Sequence, residues 1–191
     1  MEIKYTGQEY YDIDLAGRTE RLVIAQVAPT LHIASFVLLG NELTNYCAKI
    51  IADKIKDIDF DYIVVPEAKV LPMVQSVCTI LGDRDFVVFR KGVKAYMVNP
   101  IETSVKSITT LAVQKMVVDG VDADKIRGKK VLLMDDVVST GGTFHAMEKL
   151  LADLDCKIVG YAAALREGTD FSSDNLYYIQ ELPVFVGALG E

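Results

Sequence analysis

The stretch Val131-Leu132-Leu133-Met134-Asp135-Asp136-Val137-Val138-Ser139-Thr140-Gly141-Gly142-Thr143 decides the fold of this chain. Its first four residues are apolar without alternation, which is typical of a strand buried on both faces of a parallel sheet. Two adjacent carboxylates end this run, and a turn of small residues then leads into a helical pattern. The stretch therefore predicts a strand, a tight turn and a helix at the centre of an α/β domain.

The acidic pair and the turn also indicate a ligand site. Ligands of open α/β sheets bind just beyond the carboxyl ends of the strands, and Asp135 and Asp136 fall at that point. The free N–H groups of the next helix, at the positive end of its dipole, favour a phosphate. Carboxylates bind hydroxyl groups and a helix N-terminus binds a phosphate, so the two together suit a phosphorylated sugar as the ligand. The plainer alternative is that the pair only ends a strand and that Gly141-Gly142 is an ordinary turn.

Length and composition limit the classes of protein. The 191 residues are enough for one well-buried domain. The formal net charge of −7 opposes binding to nucleic-acid phosphates. The three scattered cysteines are typical of reduced thiols. No apolar run reaches the roughly 20 residues that span a bilayer, and residues 1–5 lack the apolar core of a signal peptide. We therefore expect a cytoplasmic protein that binds neither nucleic acid nor membrane.

Strand and helix patterns alternate along the chain. Apolar β-rich runs predict strands at 21–28, 31–39, 61–65, 85–89, 131–134, 157–165 and 176–179. Helical periodicity predicts three helices. The first follows Asn41, which we expect to cap it, the second spans 71–81, and the third runs from the motif to Leu154. This order implies parallel βαβ units with right-handed crossovers. The expected fold class is α/β, with a parallel sheet flanked by helices.

The stretch 131–143 resembles the phosphoribosyl-pyrophosphate (PRPP) motif of type I phosphoribosyltransferases, and every position of that motif is present. The resemblance implies that Asp135 and Asp136 hold the 2′ and 3′ ribose hydroxyls. It also implies that the turn wraps the 5′-phosphate with its backbone amides and hydroxyls. The PRPP-binding residues after the acidic pair are then Val137, Val138, Ser139, Thr140, Gly141, Gly142 and Thr143.

Two further strand ends resemble pyrophosphate-binding elements of the purine branch, the adenine and xanthine enzymes. Glu67-Ala68-Lys69 looks like the pyrophosphate loop of the adenine enzymes, although Val70 stands where those enzymes usually have glycine. Such a turn presents consecutive N–H groups to an anion, and Lys69 adds a charge-assisted contact. The segment Arg90-Lys91-Gly92-Val93-Lys94 ends another apolar strand, and the resemblance places Arg90, Lys91 and Lys94 on pyrophosphate. The alternative for both segments is an ordinary turn with solvated charges.

The resemblance also divides the single domain, residues 1–191, into parts. Residues 1–58 would form a small hood of strands with a helix, and 59–91 with 128–180 the core. Residues 92–127 would be the flexible catalytic loop, a hairpin of 104–109 and 112–118 with Thr110-Leu111 near its tip. In the family this loop closes over PRPP and excludes water. Glu102 is a candidate acidic group in it, although the loop lacks the Tyr- and Glu-bearing stretch of the adenine enzymes.

The function implied by the resemblance is transfer of the 5-phosphoribosyl group of PRPP to a purine base. The products would be a nucleoside 5′-monophosphate and pyrophosphate, as in purine salvage. Adenine is the first expected acceptor, and xanthine, hypoxanthine or guanine is the alternative. The implied cofactor is Mg²⁺, held mainly by PRPP oxygens with Asp135 or Asp136 as ligands, directly or through water. The family also implies a homodimer. A PRPP-sensing regulator without catalysis is the alternative from another class.

Overall fold

The structure is a computed structural model that describes residues 1–106 and 113–187. These residues form thirteen strands and four helices, in the chain order β1 (Glu2–Lys4), β2 (Tyr10–Asp14), β3 (Thr19–Ala28), β4 (Leu31–Ser35), α1 (Asn41–Ile55), β5 (Tyr62–Pro66), α2 (Leu71–Ile80), β6 (Phe86–Phe89), β7 (Ile101–Lys106), β8 (Val113–Val118), α3 (Gly120–Ile126), β9 (Lys130–Val138), α4 (Gly142–Ala152), β10 (Lys157–Glu167), β11 (Leu176–Tyr177), β12 (Gln180–Leu182) and β13 (Val184–Val186).

A parallel sheet forms the middle layer, in the spatial order β11-β10-β9-β5-β6, and β12 adds to the end of β10. Buried residues of α1 and α2 pack on one face of it, and those of α3 and α4 pack on the other. The motif strand β9 lies at the centre. Because both of its faces are covered, residues 131–134 are fully buried, as the unbroken apolar run predicted. The expected α/β class is confirmed.

The helix after the motif is anchored on the sheet by its apolar stripe. Phe144, Met147, Leu150 and Leu151 are buried in α4, as is Leu154 just after it. This stripe is core packing, in agreement with its helical spacing. The turn between β9 and α4 is therefore held at both ends by buried elements.

A second sheet covers one side of the molecule, in the order β1-β13-β4-β3-β2. We call it the hood sheet. Besides the expected N-terminal strands, this sheet contains β13, which lies between β1 and β4. Three residues are too few to show a period-2 pattern, so β13 had no clear sequence signal. The helix α1, which the sequence grouped with the hood, packs against α2 and β10, and it also contacts the turn between β2 and β3, where the Tyr46 hydroxyl donates a hydrogen bond to the Ala16 carbonyl at 3.0 Å.

The start of α1 also differs from the prediction. The N-cap is Gly40, and Asn41 is the first helical residue, so the expected cap by Asn41 was wrong. The side-chain oxygen of Asn41 accepts a hydrogen bond from Asn45 Nδ2 at 2.9 Å. The side chain is thus used one turn into the helix and not at its end.

The hairpin β7–β8 pairs in register from Ile101 opposite Val118 to Lys106 opposite Val113. It packs against α4, and Arg90 and Val117 exchange two backbone hydrogen bonds of 2.7 Å. The predicted tip, Thr110-Leu111, lies outside the described residues. The hairpin is therefore joined to the sheet at its base. Among the described helices, none is long and apolar enough to cross a membrane.

Candidate active site

The acidic pair lies at the end of β9, at the carboxyl edge of the central sheet. Asp135 Oδ1 accepts a hydrogen bond from the Asp136 amide at 2.9 Å, and the Asp136 residue is 9% exposed. Burial, and then the neighbouring charge of Asp136, raise the pKa of Asp135 well above its ordinary value. The pair therefore favours a ligand that supplies hydroxyl donors or positive charge.

We call residues 139–143, which join β9 to α4, the glycine-rich loop. Gly141 has a φ of 76°, and a Cβ placed on it would lie 2.2 Å from Cδ2 of Phe171. Only glycine satisfies both conditions. Gly141 is also the N-cap of α4, and it receives no side-chain cap from the described residues. The Gly142 amide donates a hydrogen bond to Thr140 Oγ1 at 3.4 Å, and the next N–H groups of α4 are available to an anion, beside a cavity of about 120 Å³ lined by Asp135 and residues 137–144.

The 67–69 loop follows β5 at the same edge. The Glu67 amide donates a hydrogen bond to the Phe89 carbonyl at 2.8 Å, and Ala68 and Lys69 are exposed. The Glu67–Ala68 peptide bond is cis. Val70, the departure from the usual glycine, has φ −75° and ψ −16° and is fully buried. These angles lie in the right-handed region, so this loop does not require glycine there.

Arg90, Lys91 and Lys94 form a basic corner next to the 67–69 loop, and Glu67 holds it together. Its carboxylate accepts a hydrogen bond from the Lys91 amide at 2.8 Å and one from Arg90 Nη1 at 3.3 Å. Lys94 Nζ lies 3.6 Å from the same carboxylate. The hydrogen bond from the Lys91 amide is the main cause that holds the pKa of Glu67 below its ordinary value, and Arg90 and Lys94 lower it further. The sequence placed Glu67 on pyrophosphate, but in the structure its carboxylate positions the basic corner.

A cavity of about 320 Å³ brings most of the predicted residues together. Its lining includes Glu67, Ala68, Lys69, Lys91, Asp135, Asp136, Val137, Ser139 and Thr143. Four of these (Asp135, Val137, Ser139 and Thr143) also line the smaller cavity, which adds Val138, Thr140, Gly141 and Gly142. Arg90 and Lys94 line neither cavity, and each contacts the carboxylate of Glu67. The acidic pair thus lies between the glycine-rich loop and the basic corner.

The sequence did not single out the remaining wall of the larger cavity. This wall consists of Ile33, Ala34, Ser35 and Phe36 at the end of β4, Pro66 of β5, Leu182 of β12 and Glu167 of β10. Only tertiary folding brings the hood residues to the site, and their apolar types resemble any core segment. Glu167 had a usable signal, because Arg166-Glu167 are charged residues at the carboxyl end of a predicted parallel strand.

Glu102, the candidate acidic group of the hairpin, lies apart from both cavities. It pairs with Val117 across the hairpin, and its carboxylate is 4.0 Å from Lys115 Nζ. Its side chain is 55% exposed. The register that the sequence left open therefore places Glu102 near the base of the hairpin.

The model of the phosphoribosyl transferase domain family matches residues 39–185, which include the ends of β5, β6, β9 and β10. The chain belongs to the phosphoribosyltransferase family. An adenine phosphoribosyltransferase from Petrotoga mobilis is 33% identical over 125 residues, 65% of this chain and 68% of that protein. A hypoxanthine/guanine phosphoribosyltransferase from Methanothermococcus okinawensis is 32% identical over 115 residues, 60% and 58% of the two chains.

Solved structures agree on the fold of this phosphoribosyltransferase domain. The adenine phosphoribosyltransferase of Thermoanaerobacter pseudethanolicus superimposes with a TM-score of 0.67 over 91% of this chain and 95% of that one, at 18% identity. The adenine phosphoribosyltransferase of Saccharomyces cerevisiae, solved with adenine, superimposes with a TM-score of 0.63 over 90% of this chain and 94% of that one, at 15% identity. The resemblance to the type I fold is confirmed, and the similar proteins carry purine-enzyme names, as the motifs predicted.

Proposed function

We propose that this protein is a Mg²⁺-dependent purine phosphoribosyltransferase that transfers the 5-phosphoribosyl group of PRPP to adenine. The observation that carries the proposal is the order of groups along the carboxyl edge of the sheet. A helix N-terminus, an acidic pair and a basic corner follow one another around two cavities that share lining residues. A sugar with a phosphate at one end and a pyrophosphate at the other has the same order of groups.

Each group has a defined role in this proposal. The N–H groups and hydroxyls of the glycine-rich loop bind the 5′-phosphate, because they lie at the positive end of the α4 dipole. The carboxylates of Asp135 and Asp136 accept hydrogen bonds from the ribose hydroxyls. Lys69, Lys91 and the amides of Ala68 and Lys69 bind the pyrophosphate.

The reaction requires orientation and electrostatic support more than covalent chemistry by the protein. A ring nitrogen of the purine forms a bond to C1 of PRPP with its lone pair, and the proton of the ring N–H is released. The C1–O bond breaks, and its electron pair leaves with pyrophosphate. Positive charge develops on the ribosyl group, near the carboxylates of Asp135 and Asp136, and positive side chains stabilise the leaving group.

Mg²⁺ is part of the proposal. Asp135 and Asp136 would hold it together with PRPP oxygens, since Mg²⁺ prefers oxygen ligands and keeps several waters. The described residues contain no group of three or more His, Cys, Asp or Glu arranged to hold a metal, which fits an ion bound mainly by substrate. When bound, Mg²⁺ supplies positive charge to the phosphate oxygens. Removal of divalent ions with EDTA should abolish turnover, and added Mg²⁺ should restore it; full activity in EDTA would contradict the requirement.

Adenine as the acceptor is supported by the Glu67-Ala68-Lys69 loop and the Arg90-Lys91 strand end. Relatives named for adenine and for hypoxanthine/guanine are about equally similar to this chain. The test is a panel of adenine, guanine, hypoxanthine, xanthine, uracil and orotate with PRPP and Mg²⁺, read by chromatography of the nucleotides. We expect AMP to form fastest. Faster formation of IMP, GMP or XMP would identify hypoxanthine, guanine or xanthine, respectively, as the preferred acceptor in place of adenine.

The same panel tests the regulator alternative. A PRPP-sensing regulator would form no nucleotide, while PRPP would still raise the melting temperature by mass action. Nucleotide formation would exclude this alternative.

A homodimer in the cytoplasm completes the proposal, on the basis of the family resemblance. Light scattering during size-exclusion chromatography should give twice the mass of the 21.1 kDa chain. A single-chain mass at the concentration of the assay would contradict it.

A further inference from the structure

Phe171 is a buried aromatic residue that contacts the glycine-rich loop but lines neither of the two cavities. A Cβ placed on Gly141 would lie 2.2 Å from Cδ2 of the Phe171 ring and 3.0 Å from its Cγ. The ring therefore occupies the space into which a side chain at Gly141 would point. The proposed reaction uses the loop but gives Phe171 no role.

The conformation of Gly141 needs support from outside the loop. Glycine populates positive and negative φ about equally, so its own covalent geometry does not fix the observed φ of 76°. Gly141 is the N-cap of α4, and its carbonyl accepts a hydrogen bond from the His145 amide at 2.9 Å. The conformation of Gly141 thus sets the direction of the first N–H groups of α4. A ring packed against Gly141 restricts that conformation without entering the cavity.

The ring of Phe171 is itself held by other aromatic rings. Its centroid lies 5.3 Å from that of Phe144, 5.3 Å from that of Tyr161 and 5.7 Å from that of His145. Tilted and edge-on pairs at these distances are favourable arrangements of aromatic rings. Phe144 and His145 belong to α4 and Tyr161 belongs to β10, so the ring is fixed to both the helix and the sheet.

The backbone of Phe171 is fixed by an arginine. Residues 168–175, between β10 and β11, form neither helix nor strand, so no ladder of hydrogen bonds holds Phe171. Arg166 Nε donates a hydrogen bond to the Phe171 carbonyl at 3.1 Å, and its Nη2 donates one to the Thr169 carbonyl at 3.4 Å. Arg166 Nη1 lies 3.5 Å from Glu181 Oε1 of β12. Arg166 therefore ties the segment that carries Phe171 to the sheet.

We infer that Phe171 is a positioning residue, which holds Gly141 in the conformation that directs the first amides of α4 at the 5′-phosphate. It acts through Gly141 and touches no ligand. This inference rests on the proposed function for the identity of the phosphate ligand. Loss of the ring should weaken the phosphate end of the PRPP site and leave the pyrophosphate end intact, which distinguishes this role from core packing alone.

The test is calorimetric binding of PRPP and of pyrophosphate, each with Mg²⁺, to the wild-type protein and to Phe171→Ala. PRPP carries the 5′-phosphate, whereas pyrophosphate carries only the group assigned to the basic corner. F171A should weaken PRPP binding by about 10- to 100-fold, the range for one hydrogen bond to a charged group, and leave the affinity for pyrophosphate unchanged. Lys91→Ala, at the basic corner, should instead weaken the binding of both ligands by about 2- to 5-fold.

Phe60→Ala is the matched control for the loss of a buried ring. Phe60 is 4% exposed, and its carbonyl accepts a hydrogen bond from Arg84 Nη1 at 2.7 Å, but it precedes β5 at the opposite edge of the sheet. F60A should lower the melting temperature, as F171A does, and leave both affinities unchanged. Phe171→Leu keeps apolar volume without the ring, so it should give an intermediate loss of PRPP affinity, and it replaces F171A if that variant does not fold.

A double variant tests whether Phe171 acts through Gly141. Alanine at Gly141 clashes with the ring, and F171A removes that clash. The loss of PRPP affinity in the protein that carries both G141A and F171A should therefore be smaller than the product of the two single losses. Losses that multiply would show that the two residues act independently, and would overturn the inference.

The outcomes separate this inference from the proposed function. An unchanged PRPP affinity in F171A, an equal loss for PRPP and pyrophosphate, or the same loss in F60A would overturn the role of Phe171 even if the protein transfers a purine. A loss confined to PRPP, in a protein that forms no nucleotide, would support the role of Phe171 and overturn the transferase. Binding of neither ligand to the wild type would overturn both.

Discussion

The glycine-rich loop and the basic corner both contribute to the larger cavity, through Ser139 and Thr143 and through Lys91, but they are built in different ways. The loop is one continuous segment between β9 and α4, and its anion-binding groups are backbone amides and hydroxyls. The basic corner is assembled from the ends of β5 and β6, and Glu67 joins them through contacts to Arg90, Lys91 and Lys94. The loop thus depends on backbone shape, whereas the corner depends on side-chain charge.

The difference teaches which changes each region tolerates. A backbone site fails when its conformation is altered, since the amides then point elsewhere. A charged corner exposed to water loses affinity gradually, because each solvated charge contributes little. The following predictions test this contrast, from the largest expected effect to the smallest.

The acidic pair between the two regions should give the largest loss. We expect Asp135→Asn with Asp136→Asn to lower turnover by about 10²- to 10⁴-fold, since two hydrogen bonds to charged groups contribute about 1.5–3 kcal/mol each. Steady-state kinetics with PRPP and the preferred base would measure this. The control is Asp122→Asn with Asp124→Asn in α3, which removes the same charge away from the site. Full activity of the first variant would overturn the assignment of the pair.

The same substitution at Asp135 alone should stabilise the fold. Because the pKa of Asp135 is raised, the folded state disfavours its charged form, so the wild type loses stability as pH rises above the ordinary pKa of 3.8. Asp135→Asn should therefore melt higher than the wild type at neutral pH. The gap should close as pH falls through the raised pKa toward 3.8. A gap that widens in acid would contradict the direction of this shift.

Alanine at Gly141 should damage the glycine-rich loop through its backbone. The variant introduces strain at φ 76° and a clash with Phe171, whereas Gly128→Ala introduces strain at φ 68° into open space. Overpacking costs about 1–3 kcal/mol. The melting temperature of G141A should therefore lie about 2–12 °C below that of G128A, and only G141A should lose PRPP binding. Equal melting temperatures would show that Phe171 moves aside without penalty.

Glutamine at Glu67 should loosen the basic corner without destroying it. We expect the KM for PRPP to rise by about 5- to 10-fold, which corresponds to about 1 kcal/mol for partly exposed ion pairs. Because the pKa of Glu67 is lowered, the charged form is present at neutral pH, and its contribution is lost only as pH falls below 4.5 through the lowered value. Glu42→Gln, which also removes an arginine partner, is the control. An unchanged KM would show that the corner does not need Glu67.

Alanine at Lys69 or Lys91 should have the smallest effect. Both side chains are exposed, so each substitution should raise the KM for PRPP by about 2- to 5-fold. The difference from the wild type should shrink in high salt, since the Debye length falls from about 10 Å at 0.1 M to about 3 Å at 1 M. Lys54→Ala at the end of α1 removes the same charge elsewhere. Effects that persist in high salt would indicate contacts other than long-range charge.

The sequence predicted the elements whose signals are local. The unbroken run 131–134 indicated a doubly covered strand, and the spacing of Phe144, Met147, Leu150 and Leu151 indicated the buried face of α4. The glycine-rich loop was found in full because all its groups lie within five consecutive residues. Their roles in binding PRPP stay predictions until the variants above are measured.

Other parts of the site depend on contacts between distant segments. The sequence showed that Glu67, Arg90 and Lys94 are charged residues at strand ends, but the partnership of Glu67 with the corner arises because β5 and β6 are neighbours in the sheet. The wall of the larger cavity, which joins Phe36 and Leu182 to the end of β10, follows from the packing of two sheets.

The sequence by itself therefore determined the strand, the loop and the helix that prepare a phosphate site, because hydrophobic period and glycine placement act over a few residues. Tertiary structure alone decided which carboxylate positions the basic corner and which hood residues reach the larger cavity. The physical reason is that a charge has the same sequence signature whether it binds a ligand, pairs with a lysine or meets water. Only the neighbours that folding supplies distinguish these cases.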